Sequence, residues 1–361
     1  MTSHSCTELS RRKLFKASLL GGAALAVGKP MPTLASAAPA GARGERAPSR
    51  VAITSSDDRA DLVFQGLNHL KAEIARAIGD RLVVIKPNNV ATDRALSATT
   101  AGCLEGVLEF LKSIGKLPSA IVAESAGMGP TPEGFAHYGY EPLAAKYGVK
   151  LVDLDREPTA VVHALDQNDM RPHAVRASRL LLDRRNSFVI SLAKLKTHDL
   201  VVATLSLKNI VVGAPIKDQG FRWGPGARRG ARTDKRLIHG SGFHGTHYNL
   251  YALAPRLHPD LSVIDGYQGM EGNGPVYGTP VEHRVAVTSL DWLAADRVGV
   301  ALMGINMAHM GYLNYCGAAG MGEIDLSKIQ ILGEKLQDHV RSYRLADNID
   351  QQLQWMKPLR G

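Results

Sequence analysis

The sequence predicts an α/β fold: a doubly wound, mostly parallel sheet with helices on both faces and one long irregular inserted loop. Three observations point there. Short β-branched runs bounded by Gly, Pro and Asn lack polar alternation, so they read as strands buried on both faces. Segments with helical apolar spacing alternate with them. One stretch, 213–247, is rich in Gly and basic residues and has no apolar period, which suits a lid or a mobile excursion.

Val51 to Thr54 reads as the first strand. Asp57 to Ile78 reads as an amphipathic helix, with Leu62, Leu67, Leu70, Ile74 and Ile78 on one face. Leu82–Ile85 follows as a strand ending in Lys86-Pro87-Asn88-Asn89. Thr99 to Ile114 is a helix closed by Gly115. Ala120–Ala123 is a strand ending in Glu124, followed by a Gly/Pro-rich loop over 127–134. A helix over Glu141–Tyr147 and a strand over Val149–Leu154 continue the alternation. Phe188–Leu192 leads into Lys194, Lys196 and His198, and Leu200 to Ile210 reads as helical. A helix is expected over His247–Leu253. Leu261–Ile264 ends in Asp265, where a loop with four glycines begins. Arg284–Thr288 is a strand, Asp291–Met303 a helix with Asp291 as N-cap, and Ile329–Leu332 a last strand before a polar C-terminal helix. No internal repeat is evident.

Residues 1–37 read as a removable export signal. Ser10-Arg11-Arg12-Lys13 precedes a modest apolar stretch, Ala17–Val27, and Ala35-Ser36-Ala37 supplies a small-residue cleavage site. Eleven apolar residues are too few to cross a bilayer, and paired arginines before a Gly/Ala-rich core resemble the twin-arginine signal. The twin-arginine translocase is therefore an expected partner and the periplasm, or another exported location, the expected destination, with no stable membrane anchor. Residues 38–50 read as a disordered linker, and 51–361 as a single α/β domain. Residues 1–37 hold five Lys/Arg and one Glu, so their removal lowers the net charge from +9 to +5. With dispersed cations and 6% aromatic residues, nucleic acid is not an expected partner. After cleavage Cys103 and Cys316 remain, too few for an iron–sulfur cluster. Two unpaired, buried thiols are expected, with pairing in an oxidising compartment the alternative.

Four strands therefore end in an ionisable residue: Lys86, Glu124, the Lys194/Lys196 pair, and Asp265. Ligands of such sheets bind beyond the carboxyl ends of the strands. Lysines in so apolar a context cost several kcal/mol each unless an anion or a carboxylate answers them. Two readings follow, a bound phosphate- or carboxylate-bearing ligand and an internal ion-pair network with Glu124 and Asp265. On the first, Lys194, Lys196, Asp265 and Glu124 are the candidate catalytic groups. Lys86, Asn88, Asn89, His198, Lys208, Asn209, Gly272 and Gly274 are the candidate ligand-binding residues. A divalent metal on His244, His247 and Glu271 is the alternative, since imidazoles and carboxylates are metal donors. A non-catalytic solute-binding protein is a third. Asp296 could pair with Arg297, cap a loop or point into the cleft. Neither a dinucleotide fingerprint nor a Walker-type loop is present.

Lys86-Pro87-Asn88, Lys194-Leu195-Lys196-Thr197-His198, Lys208-Asn209, Asp265 through Gly274-Pro275, and Asp291–Asp296 together resemble the family known as domain of unknown function 362, over about residues 51–335. Many members carry a ferredoxin-like pair of iron–sulfur clusters. This chain lacks the cysteines for one, so the resemblance implies a shared cleft without an electron-transfer role.

Overall fold

The computed structural model describes residues 48–358; the expected export signal at 1–37 and the expected linker up to residue 47 lie outside the described residues, and Ser49 and Arg50, expected in that linker, already belong to the first strand through pairing with Ile329 and Gln330. Eleven strands are present: β1 (Ser49–Ser55), β2 (Leu82–Lys86), β3 (Ala120–Glu124), β4 (Lys150–Asp153), β5 (Thr159–Leu165), β6 (Pro172–Ser178), β7 (Ser187–His198), β8 (Val202–Thr204), β9 (Leu261–Glu271), β10 (Thr279–Ser289) and β11 (Ile329–Gly333). Nine form the central sheet, in the order β11-β1-β10-β9-β7-β2-β3-β4, with β8 folded back antiparallel on the end of β7. The run from β9 to β4 is parallel throughout, and β10 is antiparallel to both neighbours. The four strands whose ends carry the charges are therefore the adjacent set β9-β7-β2-β3.

Both faces of that set are covered, which explains the lack of polar alternation. Helices Arg59–Asn68, Lys71–Ile78 and Ala101–Ser113 pack Leu62, Ile74 and Leu104 in one core with Val83, Ile85, Ile190 and Leu192. Ser206–Gly213, Phe243–Leu253 and Trp292–Leu302 place Leu207, Leu250 and Val298 in a second core with Val84, Val189 and Leu195 on the other. All twelve residues of β7 are buried. From β2 the chain steps outward through β3 to β4, then returns to lay β7 on the other side of β2. This reversal opens a crevice at the carboxyl ends of β2 and β7, the place where open α/β sheets bind ligands.

Several elements differ from the sequence reading. The expected helix over 57–78 is two helices, broken at His69 and Leu70. The glycine-rich segment after Asp265 is strand rather than loop: β9 runs on to Glu271 because β10 pairs with it as far as Thr279, and tertiary pairing overrides the local turn signal. In place of a helix from Leu200 there is β8, then a helix that begins only at Ser206. The helix expected at His247 starts at Phe243, and Lys235–Ile238 makes a short helix inside the expected irregular stretch. The C-terminal helix shrinks to Ile349–Gln352 among short 3-10 turns. The β5–β6 hairpin, a separate two-stranded sheet, had no counterpart in the sequence reading. Asp291 is the N-cap expected of it, accepting the Leu293 and Ala294 amides. Cys103 and Cys316 are buried and unpaired.

Candidate functional site

The crevice is built by three chain segments. Pro87 follows the last residue of β2, and Asn88 and Asn89 then run across the sheet end. The Asn88 amide is held by Thr99 Oγ1 at 2.9 Å and the Asn89 amide by Glu124 Oε2 at 3.0 Å. From β8 the chain enters the Ser206–Gly213 helix, whose first two amides donate to Asp296, Ser206 to Oδ1 at 2.7 Å and Leu207 to Oδ2 at 3.0 Å. A carboxylate at a helix N-terminus answers both its orphan amides and its dipole. Burial nevertheless pushes the Asp296 pKa up to about 7. Asp296 is thus a cap, and the helix it holds brings Lys208 and Asn209 to the crevice. The helix ends at Gly213, where a Cβ would lie 2.0 Å from Lys86 Cε, so only glycine allows this approach.

Together these segments enclose a cavity of about 160 Å³, lined by Lys86, Asn88, Asn89, Glu124, His198, Thr204, Lys208 and Asn209 and walled by Val90, Met128, Val212, Trp223 and Pro275. Its polar groups fall into two sets. The first is saturated. Lys86 Nζ donates to Glu124 Oε1 at 2.8 Å, to the Pro87 carbonyl at 2.9 Å and to Asn209 Oδ1 at 3.1 Å. Glu124 also accepts the Ser125 amide, and the Asn209 amide group donates to Lys86 O and Ser191 Oγ. Burial lowers the Lys86 pKa, with Glu124 opposing it. A pair with every donor and acceptor used holds the floor in shape. Lys235, which also lines the cavity, is similarly occupied, with Nζ on the Gly213 and Pro215 carbonyls at 3.0 and 2.6 Å at the end of the helix.

The second set is unanswered. Asn88 Oδ1, Asn89 Nδ2 and Thr204 Oγ1 are buried without a hydrogen-bond partner. Lys208, 5% exposed, makes no hydrogen bond or salt bridge among the described residues, and burial lowers its pKa to about 8 against the opposing pull of Asp199. His198 Nδ1 accepts the Leu200 amide at 2.9 Å, which places the proton of the neutral ring on Nε2. Burial, reinforced by Lys208, holds its pKa well below the ordinary value. Asp199 lies 3.2 Å from the same Nδ1, but an uncharged ring whose Nδ1 already accepts a hydrogen bond forms no ion pair there. His239, also on the lining, is held neutral by burial, with a pKa near 3.

Five expected residues sit elsewhere. Lys194 and Lys196 are both buried, and neither lines the cavity. Lys194 Nζ is 3.9 Å from Asp265 Oδ2, and Lys196 Nζ donates to the Ser97 carbonyl at 2.7 Å. Burial depresses both pKa values. Asp265 accepts the Tyr267 amide at 2.9 Å on Oδ1, while its Oδ2 faces Lys194 without a hydrogen bond; the ion-pair reading thus holds fully for Lys86 with Glu124 and as a looser buried pair for Lys194 with Asp265. Gly272 and Gly274 clamp their loop on β7: Thr197 Oγ1 donates to Gly272 O at 2.8 Å, and a Cβ on Gly274 would meet Thr197 O at 2.0 Å. Neither lines the cavity, although Pro275 beside them does.

The metal trio does not assemble. Glu271 accepts the Arg344 amide, His244 Nε2 is 2.7 Å from Lys357 O, and His247 accepts the Tyr312 amide while its ring packs on Tyr312 and Trp355. Among the described residues no three His, Cys, Asp or Glu side chains are grouped to hold a metal ion. The sequence reading overlooked Thr204 and Trp223. Thr204, one residue before the Leu205-Ser206 helix entry, carried a weak signal as a polar residue in an apolar run, and Trp223 sits with Phe221 in a glycine-rich loop.

Residues 83–301 match a family model described as domain of unknown function (DUF362), a span that contains every cavity residue named above. The thylakoid-associated protein sll1697 of Synechocystis sp. (strain ATCC 27184 / PCC 6803 / Kazusa) is 27% identical over 222 residues, covering 61% of this chain and 62% of that protein. The chain thus spans about three fifths of the length of this curated relative.

Proposed function

The chain belongs to the DUF362 family, and for this member we propose an exported α/β protein whose cleft at the ends of β2 and β7 binds a small anion bearing a phosphate or carboxylate group. One observation carries the reading: the Lys208 ammonium is buried at a cavity with no protein acceptor, beside three buried polar atoms that also lack partners. Unanswered groups of this kind each cost about 1–3 kcal/mol, more for a charge, and an anionic oxygen cluster would satisfy the cation and the Asn89 and Thr204 donors together. The neutral His198 Nε2–H adds another donor. Lys86 and Glu124 shape the floor, while Lys194, Lys196 and Asp265 support the sheet beneath it.

In thermal-shift titrations with inorganic phosphate and a panel of phosphorylated and carboxylated compounds, the wild-type protein is expected to be stabilised. At a hundredfold excess over Kd the gain is about 2.7 kcal/mol. Lys208→Met should abolish it. Stabilisation that survives in Lys208→Met, or that no compound produces in the wild type, sinks the reading. Export rests on Arg11, Arg12, the apolar stretch behind them and the Ala35-Ser36-Ala37 site. Arg11→Lys with Arg12→Lys should retain uncleaved protein inside the cell, and unchanged export of that variant would remove the proposal.

A further inference from the structure

Resting on the anion reading, we propose that the ligand is an aryl anion: a single planar aromatic ring joined to the phosphate or carboxylate, the ring lying against Trp223 at the cleft mouth. The cleft is chemically graded from floor to mouth. Its buried end holds Asn88, Asn89, Thr204 and Lys208, all under 7% exposed. The more exposed end carries an apolar wall of Val90, Met128, Val212 and Trp223, with Thr233 and Arg236 beside it. A bare inorganic anion would leave that apolar wall wet.

Trp223 is the part of the wall with a directional preference. Its ring is 46% exposed, although it belongs to the cavity lining. It is also held in place. Its amide donates to the Met128 carbonyl at 3.2 Å, Phe221 packs edge-on with centroids 5.9 Å apart, and the Arg236 guanidinium lies 4.0 Å over the indole. An indole fixed by a backbone bond, an edge contact and a stacked cation keeps little freedom to lose on binding. Such a surface favours a flat π system over an aliphatic group of equal bulk, because ring quadrupoles prefer offset or edge contacts with one another. Arg236 at the same wall adds a cation near the ring.

The test compares phenyl phosphate, cyclohexyl phosphate and methyl phosphate by isothermal titration calorimetry on the full mature chain. Phenyl phosphate is expected to bind about tenfold more tightly than cyclohexyl phosphate, the scale of one aromatic contact. Trp223→Leu should bring that ratio close to one, and Trp223→Phe, which restores a π face, should recover most of it. Equal affinity for the phenyl and cyclohexyl compounds, or a preference that persists in Trp223→Leu, overturns the aryl inference while leaving the anion site in place. If none of the three phosphates binds the wild-type protein, the anion reading falls and this inference falls with it.

Discussion

Lys208 and Lys86 lie in the same cavity and differ in what answers them. Lys86 has three acceptors, one of them a carboxylate; Lys208 has none among the described residues. Burial then dominates the behaviour of Lys208 and, against the pull of Asp199, brings its pKa from 10.5 to about 8. The native state gives up this proton before the unfolded chain does. The resulting destabilisation is complete below pH 8 and is relieved as pH rises toward 10.5. Binding has the opposite sign, since an anion needs the ammonium. Phenyl phosphate is already a dianion above pH 7, so its affinity should be nearly flat from pH 7 to 8 and then fall about tenfold per pH unit. The other groups facing Lys208 are Asp199, Lys196, His198 and His239. The two imidazoles are uncharged through this window, whereas Lys235 on the same lining has a pKa lowered by burial to about 7 and Lys196 is lowered as well, so the part of the slope that disappears in Lys208→Met is the part Lys208 sets. Titrations at pH 7, 8 and 9 check this, with proton uptake read from the heats in two buffers. A pH-independent affinity would remove Lys208 from the site.

The Ser206–Gly213 helix positions both Lys208 and Asn209, and it is fixed at its two ends by buried charges. Asp296 takes the first amides and Lys235 takes the last carbonyls. Asp296→Ala should cost roughly 2 kcal/mol in urea denaturation, the loss of a cap together with two buried amides left without a partner. It should also weaken phosphate binding through the displaced helix; full stability and full affinity in this variant would show that the cap is dispensable. The same helix shows how far the sequence could be read. Asp296 lies ninety residues from Ser206, and its neighbours Leu293-Ala294-Ala295 gave no hint of what it faces. The four charged strand ends were legible because each is a local pattern, an apolar run closed by one ionisable residue. Which of those charges reach the cleft depends on how far each strand runs on and on the irregularity between Lys194 and Lys196 in β7, neither of which is a local pattern. Lys194 and Lys196 therefore read as ligand groups, whereas in the fold Lys194 is buried beside Asp265 and Lys196 against the Ser97 carbonyl.

At the scale of the whole molecule, the inserted stretch after Gly213 supplies part of the cleft wall through Trp223, Thr233, Lys235 and Arg236, and it holds the densest positive charge near the mouth. Arg222 pairs with Glu133 and Arg176 binds Asp218 and Asp234. Arg228, Arg229 and Arg232 are exposed and form no salt bridge among the described residues. Exposed, unpaired charge contributes little to stability, but it creates a field that draws anions to the cleft. Such steering acts on the association rate and is screened by salt over about 8 Å at physiological ionic strength. Replacing Arg228, Arg229 and Arg232 with Ala should slow stopped-flow association of phenyl phosphate several-fold at low salt. Its dissociation rate should stay unchanged, because none of the three lines the cavity. At about 1 M salt, where the screening length is near 3 Å, mutant and wild-type association rates should converge. A slowdown that persists undiminished at high salt would mean that the arginines shape the loop mechanically, and a faster dissociation would place them in contact with the bound anion.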